Sequence, residues 1–332
     1  MSVDLISPPP NLTKEETLYL SQQAPHILQP SIAATLPWPL SVLFGNETQD
    51  TWGTYENVYL ACLRTGDDKS ARLLLDRLVA RFGESNERVM AFKGMWAESK
   101  AETEQDCIKV LDEYKAELEK EPTNFPVQKR RIALLKSMGR IPEAITQLVE
   151  FLNSSPTDGE AWSELAELYV SQSDFERAIF CLEEIILILP HAWNVHARLA
   201  EVTFLYGQSI FSSNPGEAIR AMAESMRRYC RSIELCDNYL RGYYGLKLVT
   251  KRLLEVLPSA PKSASNTTDS AFSDLPLPSV QIVERLNEKS TERLANIVRR
   301  NAAAERGWDG YDRAEVIAAR ELLNREEKHV ER

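Results

Sequence analysis

Glycine and aromatic residues are scarce in this chain: 13 glycines and 8% aromatics among 332 residues. Barrels and sandwiches lean on many tight turns and aromatic positions, so the shortage points to helices. The five cysteines (Cys62, Cys107, Cys181, Cys230, Cys236) form no C-x-x-C pair and are odd in number. They sit in helical stretches, where free thiols act as small hydrophobes, and this suggests a reducing compartment. The N-terminus carries Asp4 and Pro8-Pro9-Pro10 instead of the basic start and apolar core of an export signal. Without such a signal, the N-x-[ST] sequons at Asn11, Asn46, Asn153 and Asn266 are read as chance matches. The strongest apolar run, Ile185 to Leu189, is five residues long and stops at Pro190, far short of the ~20 needed for a bilayer span.

Reaction chemistry is also missing. There is no Gly-rich phosphate loop, no G-x-S-x-G and no H-E-x-x-H. His191 and His196 are five apart, a poor fit to one helical face, and no cysteine or carboxylate set completes a metal shell around them. The expectation is a non-enzyme with no cofactor, no metal and no small-molecule substrate. A net charge of −10 repels phosphate backbones and argues against nucleic acid. The acid is not uniform: Val280 to Arg332 holds 11 basic and 11 acidic residues, so the excess lies upstream. Short basic runs, Lys129-Arg130-Arg131 and Arg227-Arg228-x-x-Arg231, read first as solvated faces.

What is present is a period. Pro122, Pro156 and Pro190 stand 34 residues apart, and Ala144 with Ala178, Leu148 with Leu182, and Phe151 with Ile185 keep the same step. The best copy reads Trp162-x-x-Leu165-Ala166-x-x-Tyr169, then Ala178-x-x-x-Leu182, then Pro190. That is the pattern of the tetratricopeptide helix-turn-helix repeat. The expected fold is therefore all-α: an α-solenoid, a right-handed superhelix of antiparallel helix pairs, with a C-terminal helical cap. Alanines 144, 166, 178 and 200 occupy close helix crossings, with Ala71 and Gly94 in the same kind of slot in earlier pairs. Leu148, Leu165, Leu182 and Leu199 fill around those crossings, and Pro156 and Pro190 end second helices.

The expected organisation is an N-terminal extension with a first helix over 1–40, a solenoid over 41–257, a disordered low-complexity loop over 258–279 and a helical pair over 280–328. Thr13-Lys14-Glu15-Glu16 reads as a capping box. Pro25 to Pro39 reads as an extended segment wrapping the first repeat. Cys107 takes the alanine slot of its helix, and Cys107 to Pro122 is 15 residues against 12 from Ala144 to Pro156, so that repeat carries about three extra. The turn of the fourth repeat is read as stretched over Gln208 to Glu217.

Another column repeats on the first helices: Lys129, Ser163 and Ala197; Ala133, Glu167 and Glu201; Lys136, Val170 and Phe204. In this repeat that face lines a concave groove, and its mix of charged, small and apolar side chains makes it the candidate partner-binding surface.

The strings Trp162-Ser163-Glu164-Leu165-Ala166-Glu167-Leu168-Tyr169, Phe180-Cys181-Leu182-Glu183-Glu184, Pro190-His191 and Ala200-Glu201-Val202 resemble those of the tetratricopeptide-repeat family of subunit 2 of the endoplasmic reticulum membrane protein complex. Gly66-Asp67-Asp68 with Ala71 and Leu75, and Tyr244-Gly245-Leu246, extend the likeness over roughly residues 50–250. The resemblance implies a non-catalytic cytosolic scaffold attached peripherally to the endoplasmic reticulum membrane. Its partners would be membrane-spanning and soluble subunits of one complex, an insertase for tail-anchored and multi-pass proteins. Two other functions stay open at this point. One is a chaperone adaptor for acidic peptide tails, for which Lys129 suits a clamp but Ala133 stands where an asparagine is expected. The other is a regulatory subunit of an enzyme.

Overall fold

The computed structural model describes residues 4–9, 12–29, 48–259, 276–308 and 310–330. Every regular element among them is a helix. The chain forms two compact units, 1–147 and 148–332.

The first unit holds α1 (Lys14–Gln22), α2 (Ala24–Ile27), α3 (Gln49–Thr65), α4 (Asp68–Phe82), α5 (Glu87–Lys100), α6 (Glu104–Lys120) and α7 (Phe125–Ser137). Most starts are set by a short polar side chain that accepts from a free backbone N–H of the first turn. Thr48, Asp67, Asn86, Thr103 and Asn124 do this for α3 to α7. At α1 the capping box is complete: Glu16 N–H donates to Thr13 Oγ1 at 3.2 Å, and Thr13 N–H donates to Glu16 Oε2 at 2.8 Å. Gly66 ends α3 at φ 75°, the left-handed conformation in which a side chain would strain the backbone.

The N-terminal segment is tied to the first helix pair. Asn57 Nδ2 donates to the carbonyls of Leu5 and Ile6, each at 3.0 Å. Tyr55 Oη at 3.0 Å and Arg77 Nη1 at 3.2 Å both donate to Ile27 O, and Arg77 also donates to Leu28 O. These donors meet carbonyls left open at the end of α2. Pro25, expected in extended chain, stands at the start of that short helix, where its missing N–H costs nothing. The rest of the expected wrap, 30–47, lies outside the described residues.

Helix α6 has 17 residues, three more than α8 (Ile141–Ser154) and α10 (Phe175–Ile188), which have 14 each. The extra length matches the 15-residue span from Cys107 to Pro122. Gly94 of α5 explains what packs there. A Cβ on Gly94 would lie 2.1 Å from the Tyr114 hydroxyl and 2.3 Å from its ring, so the small slot is emptied for an aromatic ring of α6. Cys107 itself is only half-buried, while Val110, Leu111 and Tyr114 carry the buried face.

The boundary between units falls within α8. The second unit continues with α9 (Gly159–Ser171), α10, α11 (Trp193–Ile210), α12 (Pro215–Leu235), α13 (Leu240–Val256), α14 (Val280–Ala302) and α15 (Arg313–Val330). The stretched turn expected over 208–217 is mostly helix: α11 runs to Ile210 and α12 begins at Pro215. Pro215 suits a first turn, which lacks intrahelical partners for its N–H groups. Gly207 allows the two long helices to cross closely, with Ala218 O only 3.0 Å from where a Cβ would stand. The core here joins Ala197, Ala200, Ile219, Met222, Tyr229, Leu246, Val249 and Val283. Tyr229 fills the space over Gly245, whose Cβ would lie 2.1 Å from the ring.

Helix α14 packs on α13, not only on α15. Lys247 is 3% exposed, and its Nζ donates to Asn287 Oδ1 at 2.8 Å and Thr291 Oγ1 at 2.6 Å. Asn287 Nδ2 in turn donates to Thr250 Oγ1 at 3.0 Å. Leu240, Tyr243, Leu294, Ile297, Val316 and Ala319 form a further core that holds α15. Residues 260–275, most of the segment expected to be a disordered loop, lie outside the described residues.

Candidate partner-binding column

Ala71, Gly94, Ala144, Leu148, Leu165, Ala166, Ala178, Leu182, Leu199 and Ala200 are buried. Tyr169 is buried among them. Trp162 is half-buried, donates from Nε1 to Pro156 O at 2.9 Å and meets Phe180 edge-on at 6.0 Å. Pro190 is exposed.

The column residues divide by unit. In the first unit, α7 carries Lys129 and Lys136 exposed, with Ala133 half-buried between them. In the second, α9 presents Ser163 and Glu167 exposed and Val170 half-buried. Helix α11 adds exposed Glu201 and half-buried Phe204, whereas Ala197 is buried in the core that Phe204 packs against. Thus α9 and α11 bring a short polar strip beside two partly open apolar side chains.

Arg198, which sequence reasoning passed over, organises that strip. Its Nε and Nη2 take the two carboxylate oxygens of Glu167 at 2.8 and 2.7 Å, and its Nη1 takes Glu201 Oε2 at 2.7 Å. A planar fork suits this two-toothed grip on a carboxylate. The arrangement recurs between other first helices. Arg88 of α5 reaches Glu56 of α3 at 2.5 Å, and Arg130 of α7 grips Glu98 of α5 with both Nε and Nη2. The spacings are 32, 32 and 31 residues, so a Glu in one repeat answered by an Arg about one repeat later was the available signal. Glu98 also accepts from Tyr114 Oη at 2.5 Å, and burial together with that neighbouring negative charge pushes the Tyr114 phenol far above its ordinary value.

None of this prepares a nucleophile. Burial pushes the Cys62 and Cys181 thiols up to about 12, and Cys230 up to about 11, so they stay protonated at neutral pH. Among the described residues no three His, Cys, Asp or Glu side chains are placed to hold a metal ion. His196 is buried, with Nε2 against Pro190 O at 3.1 Å. Nor is any described helix long and apolar enough to cross a membrane.

Comparison with known proteins now decides the family. The family described as the EMC2 TPR-like repeat domain matches residues 73–214, which include every column residue. Over 249 residues the chain is 34% identical to TPR repeat protein oca3 of Schizosaccharomyces pombe, covering 75% of this chain and 83% of that one. It is also 34% identical over 197 residues to ER membrane protein complex subunit 2-B of Xenopus laevis, covering 59% of this chain and 61% of the frog protein. The chain belongs to the EMC2 family of tetratricopeptide-repeat proteins. The EMC2 match takes in α5 to α11 and their two short columns, and it stops before α12 to α15. Among solved structures, the C-terminal part of a TPR repeat-containing protein from Cytophaga hutchinsonii covers 76% of this chain and 98% of its own, at 12% identity and a TM-score of 0.45.

Proposed function

We propose that this chain is a non-catalytic scaffold subunit of an endoplasmic reticulum membrane protein complex, lying on the cytosolic side of the membrane. Its first-helix columns hold cytosolic segments of membrane-spanning subunits of an insertase, and another face carries a soluble subunit. The observation that carries this reading is the strip in which Arg198 ties Glu167 to Glu201 beside half-open Val170 and Phe204. A pre-ordered ion-pair strip next to partly exposed apolar side chains offers an extended peptide both register and burial without prior rearrangement. The family membership supports the same reading, as does the lack of a described helix fit to span a bilayer. Capture of acidic tails is disfavoured on charge: two carboxylates face one guanidinium in the strip, and Ala133 leaves no asparagine for a clamp.

The test is purification of the tagged full chain from detergent-solubilised membranes. Integral membrane proteins are expected to come out with it. Arg198→Ala should reduce their recovery several-fold and lower stability by less than ~1 kcal/mol, because these ion pairs are substantially exposed to solvent. Recovery of the parent chain only as a free monomer would overturn the scaffold reading. Full recovery with R198A and with Val170→Asp would move the binding surface off this strip.

A further inference from the structure

The first unit contains a cleft of about 550 Å³ that none of the column residues lines. Its floor is apolar, with Met90 and Gly94 of α5, Tyr114 of α6 and Val127 at the start of α7, and Ala116 of α6 stands on its exposed wall. Its rim is acidic, with Glu113 and Glu117 on one side and Glu84 on the other. The local cations do not cancel the rim. Lys93 pairs with Glu84 at 3.4 Å and Lys120 with Glu117 at 2.8 Å, while Glu113 has no ion-pair partner among the described residues. Two features stand at the cleft. The α6 helix is three residues longer than its counterparts α8 and α10, and Ala116 and Glu117 lie in its last turns. Gly94 lets the Tyr114 ring settle against the α5 backbone, and the ring is held there by Glu98.

We infer that this cleft docks a polypeptide segment that presents a lysine or arginine flanked by aliphatic residues. The floor would cover the aliphatic stem and its neighbours, and the carboxylates at the mouth would meet the cationic head, as long basic side chains bury their stems and keep their heads in polar surroundings. Charge selects against the alternatives. An acidic rim repels phosphate, whether in nucleic acid or in an anionic lipid headgroup. A lone cation leaves the floor exposed, and the volume lies within the about 300–1,000 Å³ range of sites that enclose a ligand of several groups. The site shares no residue with the Arg198 strip, so either assignment can fail alone.

The experiment uses the full chain with labelled methionine and valine methyl groups. The probe is a short amidated peptide with leucines and arginines along one helical face. A matching peptide with glutamates for the arginines, and spermidine, serve as comparisons. The arginine peptide is expected to shift the Met90 and Val127 methyl signals with single-site saturation. Glu113→Gln with Glu117→Gln should weaken it about tenfold, the effect of losing two partly screened ion pairs. Glu119→Gln with Glu121→Gln, equally acidic but outside the cleft, should leave it unchanged. Ala116→Phe, on an exposed wall position, should block binding with the fold intact by circular dichroism. The inference is overturned if the glutamate peptide binds as well, if the E119Q/E121Q pair weakens binding equally, or if the shifts map elsewhere. Full displacement of the peptide by spermidine at equal charge also overturns it, because the apolar floor would then contribute nothing.

Discussion

Replacing Gly245 with alanine adds one methyl group, and its effect follows from where that methyl lands. In a helix interior, alanine is favoured over glycine by about 1 kcal/mol. Gly245 lies inside α13, and its new Cβ would stand 2.1 Å from Tyr229 Cζ and 2.3 Å from both Cε1 and Oη. Carbon atoms pack best near 3.5–4.0 Å, so the ring would have to retreat by roughly 1.5 Å. Tyr229 is 5% exposed and surrounded by Met226, Leu246 and Val249, so it has no free direction in which to move. Overpacking of this kind costs about 1–3 kcal/mol, and a displacement this large belongs at the top of that range. Subtracting the helical gain leaves a net loss of about 2 kcal/mol. Gly53 supplies the control. It lies inside α3 with nothing within 4 Å of its Cβ position, so Gly53→Ala should stabilise by about 0.5–1 kcal/mol. The same chemical change thus has opposite signs at two sites. Urea unfolding of the full chain, with amide exchange reporting on α13 and α3 separately, measures both. Tyr229→Leu in the G245A background should recover part of the loss, giving a coupling of about 0.5–3 kcal/mol. A G245A protein as stable as its parent would falsify the packing reasoning, and so would an additive double variant.

Two further outcomes are expected. Lys247→Met keeps the volume of the buried side chain but strips donors from Asn287 and Thr291, which should cost about 1–3 kcal/mol; amide exchange in α14 should rise while α9 is unaffected, and uniform exchange would show that the contact does not hold α14. Burial pulls the His196 imidazole below its ordinary value; the hydrogen bond to Pro190 O opposes this, and the charges of Arg228, Arg231 and His191 reinforce it. The unfolded chain therefore takes up this proton first as pH falls below about 6.5, and stability present at neutral pH is lost on acidification. His196→Gln should flatten the urea midpoint between about pH 7 and pH 5 relative to the parent; an unchanged slope would place the acid sensitivity on other groups.

Much of the fold could be read from the chain alone because its period is local and repeated. A proline every 34 residues with alanine and leucine in step specifies which faces of consecutive helices meet, and Ala144, Ala178 and Leu182 are buried accordingly. The capping box at Thr13 and the longer α6 were equally legible, since a cap and a helix length are settled within a few turns. The turn over 208–217 reads longer in the sequence than it is, because Asn214-Pro215-Gly216 carries loop signals that also suit a helix start after an Asn cap. The Arg198 strip is not legible in the register: Lys129, Glu167 and Phe204 keep the 34-residue step, while Arg198 stands one position outside it and ties Glu167 to Glu201.

The sequence by itself determined that this protein is made of paired helices, because apolar period, caps and breakers act over distances shorter than one repeat. It also determined the acidic surplus. Only the tertiary structure decided which neighbour each side chain meets: Arg198 with two glutamates, Lys247 with Asn287 and Thr291, and Tyr114 and Tyr229 over the two glycines. Apart from Arg198 with Glu201, which are neighbours on one helix, those contacts join residues from 16 to 44 positions apart. Their distances depend on how whole helices stack, and no local pattern in the chain encodes that.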